Sequence, residues 1–174
     1  MSNGDVLYLD DKKLGSALSS LFPGKTFVYD KSVPRSELRA RPDYRCDELM
    51  LIVEFDGYRH YTLAKTILAD ETKDACYIAL GYSIVRVPYY VQLSSEVIDA
   101  LFGLNGRKWE QNYAHGFIDE NAPLPADFCS LGVDRFEQDL KRVECIRPDI
   151  IASLKAKIEI LGDVRRVVPR DFRF

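Results

Sequence analysis

Residues 49–57 read LMLIVEFDG and residues 82–88 read YSIVRVP, and Thr62 to Leu80 between them carries a helical pattern. The unbroken apolar character of the first stretch predicts a central strand covered on both faces. Gly57 ends it, Gly81 is suited to closing the helix, and Pro88 stops the second strand. A strand, a helix and a strand in that order predict a parallel pair joined by a right-handed crossover. Working upstream, KKLGSALSSLF (12–22) predicts a short helix closed by Pro23-Gly24. TFVYDKSV (26–33) and residues 39–45 predict two further strands, with a polar turn at Cys46-Asp47-Glu48. Downstream, SSEVIDALFG (94–103) has a Ser cap and a terminal Gly, the marks of a helix. Residues 1–103 therefore read as an α-β-β-β-α-β core, a mixed sheet flanked by helices, followed by one more helix. Residues 104–174 read as an appendage packed on it: a loop-like stretch to 130, helices near 133–145 and 148–161, and the basic tail VRRVVPRDFRF (164–174).

The chain has 174 residues, 47% hydrophobic and 29% charged, enough to bury a core. Twenty-four Lys and Arg against 27 Asp and Glu give a net charge of −3, which argues against binding polyanions by bulk charge alone. The start carries no signal-peptide pattern and no apolar run approaches a membrane span. Cys46, Cys76, Cys129 and Cys145 show no CxxC spacing and predict reduced thiols in a cytoplasmic protein.

Chemistry concentrates in Arg41-Pro42-Asp43 and in residues 54–60, EFDGYRH. Residues two apart in a strand share a face, so Glu54 and Asp56 project with Met50 and Ile52. Two carboxylates that close repel unless a cation lies between them. Asp43, on the adjacent hairpin strand, would make a third. An all-oxygen cluster suits a hard cation such as Mg²⁺, which retains waters and accepts a phosphate oxygen. The plainer reading is a solvated strand end, and Asp56-Gly57 alone is ordinary turn chemistry. Asp70, Lys73 and Asp74 share one side of the following helix with Tyr77, opposite Ile67, Leu68, Ala75, Ile78 and Ala79. They too have a plain reading as a solvated face, preferred for Asp74.

The order of these pieces resembles the PD-(D/E)xK, or restriction-endonuclease-like, nuclease superfamily. The nearest branch is that of very-short-patch repair endonucleases, with an E-x-D-G-x-x-H signature. The resemblance covers about residues 26–100. It rests on Pro42-Asp43, on residues 54–60, on Asp70, Lys73 and Asp74, and on residues 81–86, GYSIVR. It implies metal-dependent hydrolysis of DNA phosphodiesters, with RNA a second nucleic acid it admits. Asp43 and Glu54, with Asp56, would hold Mg²⁺ or Mn²⁺, and Glu54 or His60 would orient or deprotonate the attacking water. Asp56 departs from the superfamily pattern, which has Lys there. Lys73 is the expected substitute, with Lys65 and Arg59 behind it. A domain in which none of these reaches the site would bind nucleic acid or a protein partner without cutting.

Other features are less specific. A lone His after a strand is also a common hydrogen-bonded structural residue, and His115 is read as structural. Arg147-Pro148-Asp149 reads as a helix start, with Asp149 near the positive end of the dipole. Residues 140–174 carry net +4 and residues 105–139 net −4. Arg41, Arg59, Lys65, Arg165 and Arg166 are candidate phosphate contacts, with Phe172 and Phe174 available to stack on a base. Tyr89 and Tyr90 read as packing residues, and a homodimer is compatible with the sequence.

Overall fold

A computed structural model describes residues 9–109, 128–169 and 172–174. In chain order the elements are Asp11–Leu21 (α1), Val28–Tyr29 (β1), Tyr44–Cys46 (β2), Leu51–Asp56 (β3), Arg59–Thr62 (α2) and Ala64–Ala79 (α3). Ser83–Pro88 (β4), Ser95–Phe102 (α4), Ser130–Arg142 (α5) and Arg147–Leu161 (α6) follow. The strands form one mixed sheet in the order β1-β2-β3-β4. β1 and β2, and β2 and β3, pair antiparallel, while β3 and β4 pair parallel, with Glu54 opposite Arg86. The fold is α/β, a four-stranded mixed sheet flanked by helices. Among the described residues no helix is long and apolar enough to cross a membrane.

The first two strands are shorter than the sequence suggests. Asp30 and Arg35 take positive φ values of 46° and 63°, which no extended run tolerates. The buried Arg45 side chain donates instead to the Ser32 carbonyl, tying this irregular stretch to β2. Met50, also at positive φ, separates the turn of Asp47–Leu49 from β3.

The two faces of the sheet differ. Leu51, Val53, Val85 and Val87 join the main core with Leu14, Leu18 and Leu21 of α1 and with Val97 and Ile98 of α4. On the other face Ile52 packs with Val33, Tyr77 and Tyr82, and Glu54, Asp56 and Arg86 continue that face as buried charges. The helix over it, α3, is turned away from the plain amphipathic reading, and Ile67, expected opposite Asp70, is buried beside it. Leu68 is 52% exposed and Ile78 61% exposed, whereas Asp70 and Tyr77 are buried. The reason is electrostatic: the sheet beneath presents ions, so the face carrying Asp70, Lys73 and Asp74 turns inward to pair with them.

The C-terminal helices are seated on the core by contact rather than by a tether alone. Gly132 of α5 lies so close to the Tyr61 carbonyl that a Cβ there would overlap it. The Cys129 N–H donates to that same carbonyl at 3.3 Å. Phe136 packs on Tyr90 at 4.9 Å between ring centroids, on Phe128 at 5.4 Å and on Phe172 at 5.3 Å. Tyr89 and Tyr90 are buried in this core. Pro148 and Asp149 fall in the first turn of α6. The cysteines carry no disulfide; Cys46 is buried and Cys145 exposed. His115 and Arg170 lie outside the described residues.

Candidate functional site

Antiparallel register between β2 and β3 sets Tyr44 against Val53, and continuing it sets Asp43 against Glu54. The backbone locks the two together. The Phe55 N–H donates to Asp43 Oδ2 at 2.7 Å, and the Asp43 N–H donates to Glu54 Oε2 at 3.3 Å. Lys73, reaching down from α3, donates to Glu54 Oε1 at 3.4 Å and lies 3.1 Å from Asp70 Oδ1. The cation bonded to Glu54 is therefore the one on α3. Arg59 and Lys65 stay exposed on α2 and at the start of α3.

Asp56 does not join Asp43 and Glu54, contrary to the three-carboxylate cluster expected from the strand pattern. It lies two residues further along β3, fully buried, and both its oxygens are taken by guanidinium groups. Arg86 Nη1 donates to Oδ1 at 2.7 Å and Arg135 Nη2 donates to Oδ2. Arg135 Nη1 also reaches Asp70 Oδ2 at 2.9 Å. Arg86 turns its remaining nitrogens onto Asp74, Nε to Oδ2 at 2.9 Å and Nη2 to Oδ1 at 2.7 Å. Asp74 is thus a bidentate partner of a buried arginine and not a solvated surface acid, and Asp70 is likewise an inward-facing ion-pair member.

His60 lies beside this network, with Nδ1 2.5 Å from Asp70 Oδ2 and 3.5 Å from Asp56 Oδ1. Burial pushes the Asp70 carboxyl up, but the His60 hydrogen bond and the charges of Arg86 and Arg135 outweigh it and hold the group below its usual range. An ionised Asp70 only accepts, so Nδ1 carries the hydrogen of this contact. Asp56, His60 and Asp70 bring ligand atoms within 4.8 Å of one another and could hold a metal ion by spacing, the group of three that does so among the described residues.

The electrostatics separate two zones. Asp56, Asp70 and Asp74 are answered by Arg86, Arg135 and the shared Lys73. Among the described residues the ion pair that reaches Asp43 and Glu54 is a share in Lys73, with the Arg86 charge acting on Glu54 from the neighbouring strand. Burial raises the Asp43 carboxyl, against the Phe55 N–H, with the charges of Asp11 and Asp56 adding to the rise. Burial also raises Glu54, against the Lys73 ammonium, with Asp43 adding to the rise. Lys73 itself is lowered by burial but raised further by Glu54 and Asp70, so it remains protonated. The Asp43–Glu54 pair is where negative charge is in excess, and its donors are all hard oxygens, a set that fits Mg²⁺.

The remaining candidates are scattered. Arg41 is exposed and paired with Asp30 at 3.3 Å. Arg165 bonds Asp163, and Arg166 is exposed on the short turn after α6. Phe172 is committed to packing on Phe136 and is not free to stack on a base, whereas Phe174 is half exposed. A cavity of about 340 Å³ between α3 and α5 is lined by Asp70, Asp74, Arg86, Arg135 and Arg142. No family model matches the chain, and no curated protein or solved structure matches it.

Proposed function

We propose that the chain is a Mg²⁺-dependent endonuclease that hydrolyses phosphodiester bonds of DNA, with Asp43 and Glu54 the residues that would hold the ion. The observation that carries this reading is the Asp43–Glu54 pair, Glu54 buried and Asp43 half-buried, joined across two strands, with the Lys73 ammonium on one of its oxygens. A bound ion supplies positive charge to a phosphoryl oxygen and acidifies a water. Lys73, kept protonated by Glu54 and Asp70, adds a fixed positive charge beside the pair and orients the attacking water. His60, with Nδ1 engaged by Asp70, offers Nε2 as the acceptor for that water's proton. The water oxygen bonds to phosphorus, the bond from phosphorus to the leaving sugar oxygen breaks, and that oxygen is reprotonated from solvent. Exposed Arg41, Arg59 and Lys65, from the segments that carry the pair and His60, suit the duplex backbone.

A second reading, a module that binds nucleic acid or a protein without cutting, draws on one observation. Asp56 stands where the resembled superfamily has its lysine, and it is held by two guanidinium groups. Incubation with supercoiled plasmid separates the two. The nuclease reading expects nicked and linear products with Mg²⁺ and none with EDTA. Retention of DNA that weakens with salt, with no products in either condition, would support the module instead.

A further inference from the structure

One imidazole nitrogen and two carboxylates within 4.8 Å at Asp56, His60 and Asp70 are a donor set for a divalent ion such as Mn²⁺. The chain fills that position itself. Arg135 bonds Oδ2 of Asp56 and Oδ2 of Asp70, the second of which also meets His60 Nδ1. The other oxygen of Asp56 goes to Arg86. With Lys73, shared with Glu54, on Asp70 and Arg86 on Asp74, each of these three carboxylates has a cationic partner among the described residues.

Arg135 is held in place from several sides. Its side chain is only 13% exposed, and its guanidinium lies 5.5 Å from the centroid of the Tyr61 ring. Gly132, one turn earlier on α5, brings that helix against the Tyr61 carbonyl. A guanidinium keeps its proton at any ordinary pH, so this charge is permanent, unlike an imidazole or an ammonium.

We infer that Arg135 is the built-in counter-ion of the Asp56–His60–Asp70 group, so that α5 keeps a divalent cation out of this position while Asp43 and Glu54 take one. The single ion at Asp43–Glu54 rests on the function proposed above; the exclusion at Asp56–His60–Asp70 does not. In a two-metal site the ions together clamp the attacking and leaving oxygens. Here the position a second ion could take is filled by a guanidinium from α5, paired to Asp56 and Asp70.

Calorimetric titration of the full chain with Mn²⁺ tests this, using wild type, Arg135→Met, His60→Ala and the double variant. Methionine keeps an unbranched stem over Tyr61 and removes the charge. Wild type should bind one equivalent, and His60→Ala should bind the same. Arg135→Met should bind one equivalent more, and the double variant should lose that gain. An Arg135→Met protein with no added equivalent would overturn the inference, as would a wild-type equivalent that disappears in His60→Ala. If Arg135→Met does not fold, the wild-type and His60→Ala pair still decides, since exclusion requires them to bind alike. Wild type binding none, with Arg135→Met gaining one that depends on His60, would keep the Arg135 inference and remove the Asp43–Glu54 reading.

Discussion

Glu54→Gln is expected to lower Mg²⁺-dependent DNA cleavage by about 10²–10³-fold, the scale of losing a principal electrostatic group from a catalytic site. Gln keeps the shape and one carbonyl oxygen, which can accept from the Asp43 N–H or from Lys73 but not from both, and the circular-dichroism spectrum should be unchanged. Stability should move the other way. The folded pKa of Glu54 lies above its unfolded value because burial and Asp43 disfavour its charge. Its contribution to stability is therefore present below the unfolded carboxylate range and is lost as pH rises through the folded pKa. In EDTA, the melting temperature of the variant minus that of wild type should grow from about pH 4 toward neutrality. Mg²⁺ should close the gap by stabilising wild type alone. Full cleavage by the variant would remove Glu54 from the chemistry.

The second large effect concerns the fold. Arg86→Met leaves Asp56 with Arg135 and the more distant His60, leaves Asp74 without its bidentate partner and withdraws a charge near Asp70. Uncompensated buried charge of this kind costs about 3–5 kcal/mol, or roughly 10 °C of melting temperature for a chain of this size. Adding Asp74→Asn should recover part of the loss, because one stranded carboxylate is then gone. Thermal unfolding checks both variants; a shift of only a degree or two in Arg86→Met would mean that the ion network is solvated and carries little of the stability.

Much of the architecture was legible along the chain because each element carries its own local signal. The apolar run of β3, the Gly81 stop and the Pro88 end fix the parallel β3–β4 pair without tertiary information. That Asp43 sits on the strand beside Glu54 was legible as a hairpin, but the register was not: a turn at residues 46–48 would set Asp43 against Leu51, whereas the observed connection is 47–50, with Cys46 paired to Leu51. What periodicity could not tell was which side of α3 faces in. An amphipathic pattern normally points its apolar side to the core, but here the sheet face beneath holds Glu54, Asp56 and Arg86, and paired ions outweigh the exposed Leu68 and Ile78. Arg86 did leave a trace: it is the one charge in the strand YSIVRVP, at a position whose neighbours on both sides are buried Val residues. Arg135 left none, being 79 residues from Asp56 and 65 from Asp70 along the chain. Its charge looks like any other on a surface helix until α5 is docked. The same distance hides the fate of Asp56: strand parity places it on the face of Glu54, and nothing local shows that Arg86 and Arg135 take both its oxygens.

The central claim, that a divalent cation belongs to the Asp43–Glu54 pair, is tested most directly by melting temperature as a function of Mg²⁺ concentration in wild type and Asp43→Asn. Asn still accepts from the Phe55 N–H, so the strand pairing survives the substitution. A site on this pair predicts a wild-type melting temperature that climbs with the logarithm of Mg²⁺ above the dissociation constant and a flat response in Asp43→Asn. Equal climbs in the two proteins, or no climb in wild type, would contradict it.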